Sequence, residues 1–292
     1  MNYKLLTFKK DIEVLGLYTM YYSEHDKSFY FGGERHNFWE MVYVDSGEIS
    51  VVAENTGYMV RQGEVIFHKP MEFHTLASNQ KDPNSVVIIS FEAAGDGMRF
   101  FENRILAVDG RQMKILSQLL EEIRHSFGVS TGISLYPQRL NEKSAEPCAQ
   151  QMVINYMEQF LVSLLRSNRE NEGRSVRKST GAKKNVEEAV VQAVREYLSQ
   201  QIYLRLTLCE VARHFHMGKS YLSEMFKAVT GKSVMEYYLN LKMDEAKRLL
   251  RGGELNITQI AEKLCYANVH NFSRVFKAKT GRSPSAYRKS VR

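Results

Sequence analysis

A segment near the end of the chain is written twice, and that repeat is the strongest limit on what the chain can fold into. Shifted by 50 positions, residues 222–237 return as 272–287 with eight identities in sixteen places. Ser223, Phe226, Lys227, Ala228, Thr230, Gly231, Ser233 and Tyr237 recur as Ser273, Phe276, Lys277, Ala278, Thr280, Gly281, Ser283 and Tyr287. Upstream the match continues at a shift of 49, where Leu208, Val211, Ala212 and Phe215 become Ile257, Ile260, Ala261 and Leu264. One residue therefore enters the second copy between the two blocks, at an expected turn. Self-similarity at this period means two copies of one supersecondary unit.

Each copy reads as a helix-turn-helix. The first helix carries Leu208, Val211, Ala212 and Phe215 at helical spacing. A turn follows, at residues 216–218 in one copy and 265–268 in the other. The second helix is expected to bury Leu222, Met225, Phe226 and Val229, and in the second copy Phe272, Val275 and Phe276. The opposite faces are polar: Ser220, Ser223, Glu224 and Lys227 in one, His270, Asn271, Ser273, Arg274 and Lys277 in the other. Small polar and guanidinium groups reach base edges in a major groove, and flanking lysines reach phosphates.

The segment resembles the DNA-binding domain of the AraC/XylS family of bacterial transcription regulators. The match rests on Ile260-Ala261, residues 271–277, residues 280–284 and Ala286-Tyr-Arg288. Two positions depart from the family pattern. Cys265 stands before the aromatic of the second turn, where the family has glycine, and Lys242 replaces an arginine of the connecting helix. The resemblance implies DNA contacts by Lys219, Ser220, Tyr221, Ser223, Glu224 and Lys227, and by Asn268, His270, Asn271, Ser273, Arg274 and Lys277.

Charge separates the halves. The net charge is +7. Residues 1–165 hold 15 Lys/Arg and 21 Asp/Glu, a net of −6. Residues 166–183 hold 6 and 2, a net of +4, and residues 184–292 hold 19 and 10, a net of +9. Positive charge gathered in one half points that half toward nucleic acid. The three cysteines form no C-x-x-C pair and fit no disulfide framework, and nothing reads as a secretory signal or a membrane span. A reducing cytoplasm is the expected setting.

The N-terminal half shows short apolar runs at 41–44, 49–52, 58–60, 65–67 and 86–89, broken by turn signals. Such spacing predicts an antiparallel sandwich or barrel. Gly47, Gly57 and Gly63 are expected to supply positive φ at its hairpins. The pattern of His36, Glu40, Tyr43, Gly47, Gly63, Pro70 and His74 resembles the cupin barrel that serves as sensor in sugar-responsive members of the family. The resemblance implies a small effector, with a sugar as the expected class, held by Arg35, His36, Trp39, Glu40, Tyr43, His68 and His74. Metal-binding cupins use a His-x-His pair, a glutamate and a later histidine. The corresponding positions here are Glu34, His36, Glu40 and His74. The first histidine is missing, so effector contact or a structural histidine is the reading taken, with no metal and no cofactor assigned.

Helices are expected over 112–127 and 150–166, with a loop over 128–148 between them. The stripe Val153, Tyr156, Phe160 and Leu164 suits both a cover for the barrel and a dimer interface. The whole reads as an α+β chain of two domains. Residues 1–167 form a cupin-like barrel with two helices, 168–184 a flexible basic linker, and 185–292 an all-α domain with two helix-turn-helix units. The expected protein is a cytoplasmic homodimer that binds double-stranded DNA and a small effector and acts with RNA polymerase, most simply as an activator and not as an enzyme. A cupin enzyme carrying a DNA-binding module is the competing reading. An effector-independent regulator is a third, and its barrel would be filled with large apolar side chains.

Overall fold

The computed structural model describes residues 3–127, 138–139, 146–168, 179–215 and 217–290. His216 in the first expected turn, most of the 128–148 loop and residues 169–178 of the expected linker lie outside them. The chain divides into two compact units, residues 1–186 and 187–292.

The first unit is built on two antiparallel sheets. The strands are β1 (Glu13–His25), β2 (Tyr30–Glu34), β3 (Trp39–Ser46), β4 (Glu48–Ala53), β5 (Thr56–Arg61), β6 (Glu64–His68), β7 (His74–Ser78), β8 (Asn84–Ala94), β9 (Ile105–Ala107) and β10 (Gln138–Arg139). One sheet has the order β10-β1-β8-β3-β6-β9 and the other β2-β7-β4-β5. The expected barrel takes the form of these two facing sheets. Between them pack Val42, Val44, Ile66, Val86 and Ile88 from one, and Ile49, Val51, Tyr58, Val60 and Leu76 from the other.

Two helices cover the outer face of the larger sheet: α1 (Gly110–Phe127) and α2 (Ala149–Asn168). Their Leu116, Leu119, Ile123, Phe160, Leu161 and Leu164 pack on Trp39, Met41, Tyr43, Phe67 and Ile89. Strand β3 is thus buried on both faces, which is why its centre, residues 41–44, reads as an unbroken apolar run. Burying each such large side chain contributes about 1.5–3 kcal/mol. Val153, Phe160 and Leu164 of the expected dimer stripe are used up in this core. The large apolar groups that α2 leaves exposed are Met152 and Val162.

Two hairpin details differ from expectation. Gly47 and Gly63 do take positive φ, but Gly57 does not; in the β4–β5 hairpin Glu54 takes that conformation. Gly57 is needed for closeness instead. A Cβ there would lie 2.6 Å from the Ser179 carbonyl oxygen, and the Gly57 carbonyl accepts from the Ser179 N–H at 2.8 Å. Residues 180–184, expected in the linker, open helix α3 (Thr180–Gln200), and the division between units falls inside this helix.

The second unit continues with α4 (Leu208–His214), α5 (Lys219–Thr230), α6 (Val234–Gly252), α7 (Ile257–Lys263), α8 (Val269–Thr280) and α9 (Pro284–Ser290). The repeat is plain in the hydrogen bonds that start and stop these helices. Thr207 and Glu210 form a reciprocal capping box before α4, and Asn256 and Gln259 form one before α7, 49 residues on. Gly231 and Gly281 end α5 and α8 in the left-handed conformation. Phe272 and Phe276 of α8 pack with Ile260, Ala261 and Leu264 on Met243, Ala246 and Leu250 of α6. In α5, Leu222, Met225 and Phe226 are buried as expected, but Val229 is 40% exposed. It sits near the helix end, beyond the packed turn.

Candidate functional site

The reading faces are built by α5 and α8. Lys219, Ser220, Glu224 and Lys227 of α5 are exposed, and Ser223 and Tyr221 are half-buried. Burial, then the charge of Glu187, raises the Tyr221 phenol above its ordinary value, so it stays a neutral donor. On α8, His270, Arg274 and Lys277 are exposed, and Asn271 and Ser273 half-buried. The Arg274 guanidinium donates to Asn271 Oδ1 at 3.4 Å, so the two residues suited to base reading stand side by side. Asn268 has another task. It is the N-cap of α8, and its Oδ1 accepts from the Asn271 N–H at 2.8 Å. Arg213 and Lys263, exposed in the last turns of α4 and α7, were not singled out from sequence. At the shift of 49 that relates α4 to α7, Arg213 falls on Glu262 and Lys263 on His214, so the repeat does not mark them.

The departures from the family pattern meet at one place. Cys265 takes a left-handed backbone, φ 56°, where glycine costs nothing. Its S–H donates to the Tyr203 carbonyl at 2.9 Å. Lys242 is buried, and its ammonium donates to the carbonyls of Leu204 at 2.6 Å and Leu264 at 2.7 Å. The Tyr238 hydroxyl donates to Leu204 as well, at 2.6 Å. Burial holds the Lys242 ammonium below its ordinary pKa, opposed by the Cys265 thiol.

In the β-domain the effector candidates divide. Strand alternation turns Trp39 and Tyr43 toward α1 and α2, where both are core residues. Arg35 is exposed, pairing with Glu54 at 3.0 Å and donating to the Met71 carbonyl. His36, Glu40, His68 and His74 come together. Glu40 and His68 are register partners on β3 and β6, and His74 opens β7 opposite Glu34 of β2. His74 Nε2 lies 3.3 Å from one Glu40 oxygen, and His36 Nε2 lies 3.8 Å from the other. The rings of His68 and His74 stack at 4.1 Å. Ser90 donates to Glu40 at 3.2 Å.

The imidazoles are all oriented the same way. His36 Nδ1 meets the Phe38 carbonyl at 3.0 Å, His74 Nδ1 the Glu72 carbonyl at 3.1 Å, and His68 Nδ1 the Glu72 carboxylate at 3.0 Å. Each Nε2 is buried and lacks a well-formed hydrogen bond; those of His74 and His36 have the Glu40 carboxylate as their ion-pair partner. Burial alone would raise the Glu40 carboxyl; His74, His68 and His36 more than offset it and hold it low. Burial keeps His36 and His68 below the ordinary imidazole value, while Glu40 overcomes burial at His74 and raises it. Burial, then the negative charges of Glu40 and Glu34, raises the neighbouring Tyr21 phenol.

Comparison with known proteins places both halves. Residues 16–140 match the family model of the AraC-like ligand binding domain, and residues 211–290 match a helix-turn-helix domain model. The uncharacterized HTH-type transcriptional regulator YfiF of Bacillus subtilis is 25% identical over 255 residues, 87% of this chain and 77% of that one. The raffinose operon transcriptional regulatory protein RafR of Pediococcus pentosaceus is 30% identical over 95 residues, 32% of this chain and 34% of that one. Among solved structures, the C-terminal domain of AraT, a response regulator from Geobacillus stearothermophilus, is 35% identical, covering 35% of this chain and 84% of that one, with a TM-score of 0.34. No helix among the described residues is long and apolar enough to cross a membrane.

Proposed function

The chain belongs to the AraC family of DNA-binding transcriptional regulators, and on that premise we propose that it activates transcription when a small molecule occupies its β-domain. The observation that carries the DNA half of the reading is the duplication itself. Two reading helices, alike in core and caps, offer exposed polar faces in a basic domain. Helix α6, which joins the two units, has 19 residues and so a length of about 28 Å at ~1.5 Å per residue. That suits two successive major grooves, about ten base pairs apart.

A sugar is the effector class we propose, supported by the likeness to a raffinose operon regulator. With Trp39 and Tyr43 in the outer core, the sugar would be held by hydrogen bonds to His36, Glu40, His68 and His74 rather than by stacking. One observation favours a second reading, an effector-independent regulator: most of the space between the sheets is filled by Val42, Val44, Ile49, Val51, Tyr58, Val60 and Leu76. Dimerisation through the N-terminal domain, recruitment of RNA polymerase and a cytoplasmic setting belong to the proposal.

Selection of bound sequences from random duplex DNA by the full chain tests the first part. Enrichment of a site with two determinants about one helical turn apart is expected, and a selected pool no different from the starting pool would overturn it. A thermal-shift screen of monosaccharides, oligosaccharides and small acids decides between the effector readings. A ligand that stabilises wild type but not Glu40→Gln supports the first, and a flat screen supports the second.

A further inference from the structure

A cluster of two histidines and two glutamates at the polar end of the sheets, its Glu40 and His74 buried, His36 half-buried and Glu34 exposed, has the makings of a metal site. Glu34, His36, Glu40 and His74 each offer one donor atom, and these atoms lie within 4.8 Å of one another. Bonds of about 2.1 Å to one ion hold its ligand atoms about 3.4–4.2 Å apart. His74 Nε2 lies 3.3 Å from Glu40 Oε1 and His36 Nε2 lies 3.8 Å from Glu40 Oε2, so both imidazoles face this one carboxylate at such distances. Donor pairs at the 4.8 Å limit would have to close by about 0.6 Å to share one ion.

A second observation points to a cation independently. A buried imidazole ordinarily uses both nitrogens, because an unpaired buried polar atom is costly. Here each of three imidazoles holds its Nδ1 against a carbonyl or carboxylate, while its buried Nε2 makes no well-formed hydrogen bond; those of His74 and His36 face Glu40 at 3.3 and 3.8 Å. The side chains of His68 and His74 are only 1% and 4% exposed, so water does not readily satisfy them. Tethering one ring nitrogen while the other faces a carboxylate is how a protein orients histidines toward an ion. Glu40 adds a buried carboxylate beside them, a negative charge that a cation balances.

We propose that Glu34, His36, Glu40 and His74 bind one divalent first-row transition metal ion, with His68 stacked behind His74 as its support. Two imidazole nitrogens and two carboxylate oxygens suit zinc, cobalt, nickel or iron(II) better than magnesium or calcium, which prefer oxygen alone. The ligands come from both sheets. Glu34 and His74 lie on β2 and β7 of the smaller, Glu40 lies on β3 of the larger, and His36 lies between β2 and β3. A bound ion therefore ties the two sheets together at the polar end of their interface. The proposal does not depend on what the effector is, because the ion binds without it.

The test is titration of the full, chelator-stripped chain with cobalt(II), followed by calorimetry and visible absorption. One equivalent should bind, with ligand-field bands and no thiolate charge-transfer band, since the three cysteines take no part. The same ion should raise the melting temperature. His74→Ala and Glu40→Gln should each weaken binding by at least about a hundredfold, as even outer-shell partners cost tenfold to a hundredfold. His25→Ala, a buried histidine outside the cluster, should leave it unchanged. If Glu40→Gln fails to fold, His36→Ala takes its place, since that residue is partly exposed. Cobalt binding that survives in His74→Ala and His36→Ala, or no cobalt binding by the wild-type chain, overturns the proposal. An effector that stabilises the metal-free chain would leave the regulator reading standing in that event.

Discussion

The two helix-turn-helix units are copies with different finishing. Both begin with a capping box and end the reading helix on a left-handed glycine. They differ at the turn. The first unit starts α5 from Gly218, which has no side-chain cap, whereas the second starts α8 from Asn268, which has one. The second also holds Cys265 in a conformation that disfavours side chains. The outward faces differ in kind, Ser220, Ser223 and Glu224 against His270, Asn271 and Arg274. What a duplication must keep is core and caps; what it is free to change is the outer face and the turn that aims it.

Four experiments break or sharpen this comparison. The largest effect is expected at the residue touching both copies. Lys242→Ala removes two charge-assisted hydrogen bonds, taking the ammonium from the buried Leu264 carbonyl while Leu204 keeps the Tyr238 hydroxyl, and should lower the stability of residues 187–292 by about 2–4 kcal/mol. Denaturant unfolding of that fragment, compared with wild type, checks it. Next comes the contrast between reading faces. Arg274→Ala should cost roughly 1–3 kcal/mol of binding and relax preference at one base pair. Lys227→Ala should weaken binding to all sequences alike and flatten the salt dependence by about one charge. Binding to single-base operator variants at two salt concentrations separates them, and a uniform loss for Arg274→Ala would make it a phosphate contact.

A smaller effect is expected at the caps. Asn268→Ala should destabilise the second unit by about 1 kcal/mol. Gly218→Asn should stabilise the first by only a few tenths. Thermal unfolding of both variants gives the difference, and an Asn268→Ala chain of unchanged stability but impaired DNA binding would return Asn268 to the DNA contacts. The smallest is Cys265→Gly. Relief of left-handed strain, roughly 1–2 kcal/mol, is opposed by glycine's extra chain entropy and the lost bond to Tyr203. A net gain of about 0.5 kcal/mol is expected by the same measurement.

The repeat made the second domain legible from sequence alone. Amphipathic helices with caps carry their period and their ends in local residues, so α1, α2, α4, α5, α7 and α8 fall close to where they are expected. The first domain was legible only as strands. Parity was the missing information. With apolar layers on both sides of β3, nothing in Trp39-Glu-Met-Val-Tyr43 says which face meets the helices and which the other sheet. Hence Trp39 and Tyr43 were grouped with Glu40, although the pleat sends them apart. Strand β1 was not anticipated at all, because bulges interrupt its pairing and with it any alternation. The shared orientation of the three histidines is a tertiary fact that no spacing encodes.

Lys242 bears on how the second domain comes apart. Repeated units that touch only through apolar side chains can melt one at a time, their stabilities adding along the array. Here one ammonium is shared by the loop that precedes the first copy and by the end of the first helix of the second. Opening either copy leaves a charge half-solvated in the other, so neither gains by opening alone. The pair should unfold as a single all-or-none transition, with calorimetric and van't Hoff enthalpies equal. Two similar helical hairpins then behave as one folding unit because of one lysine.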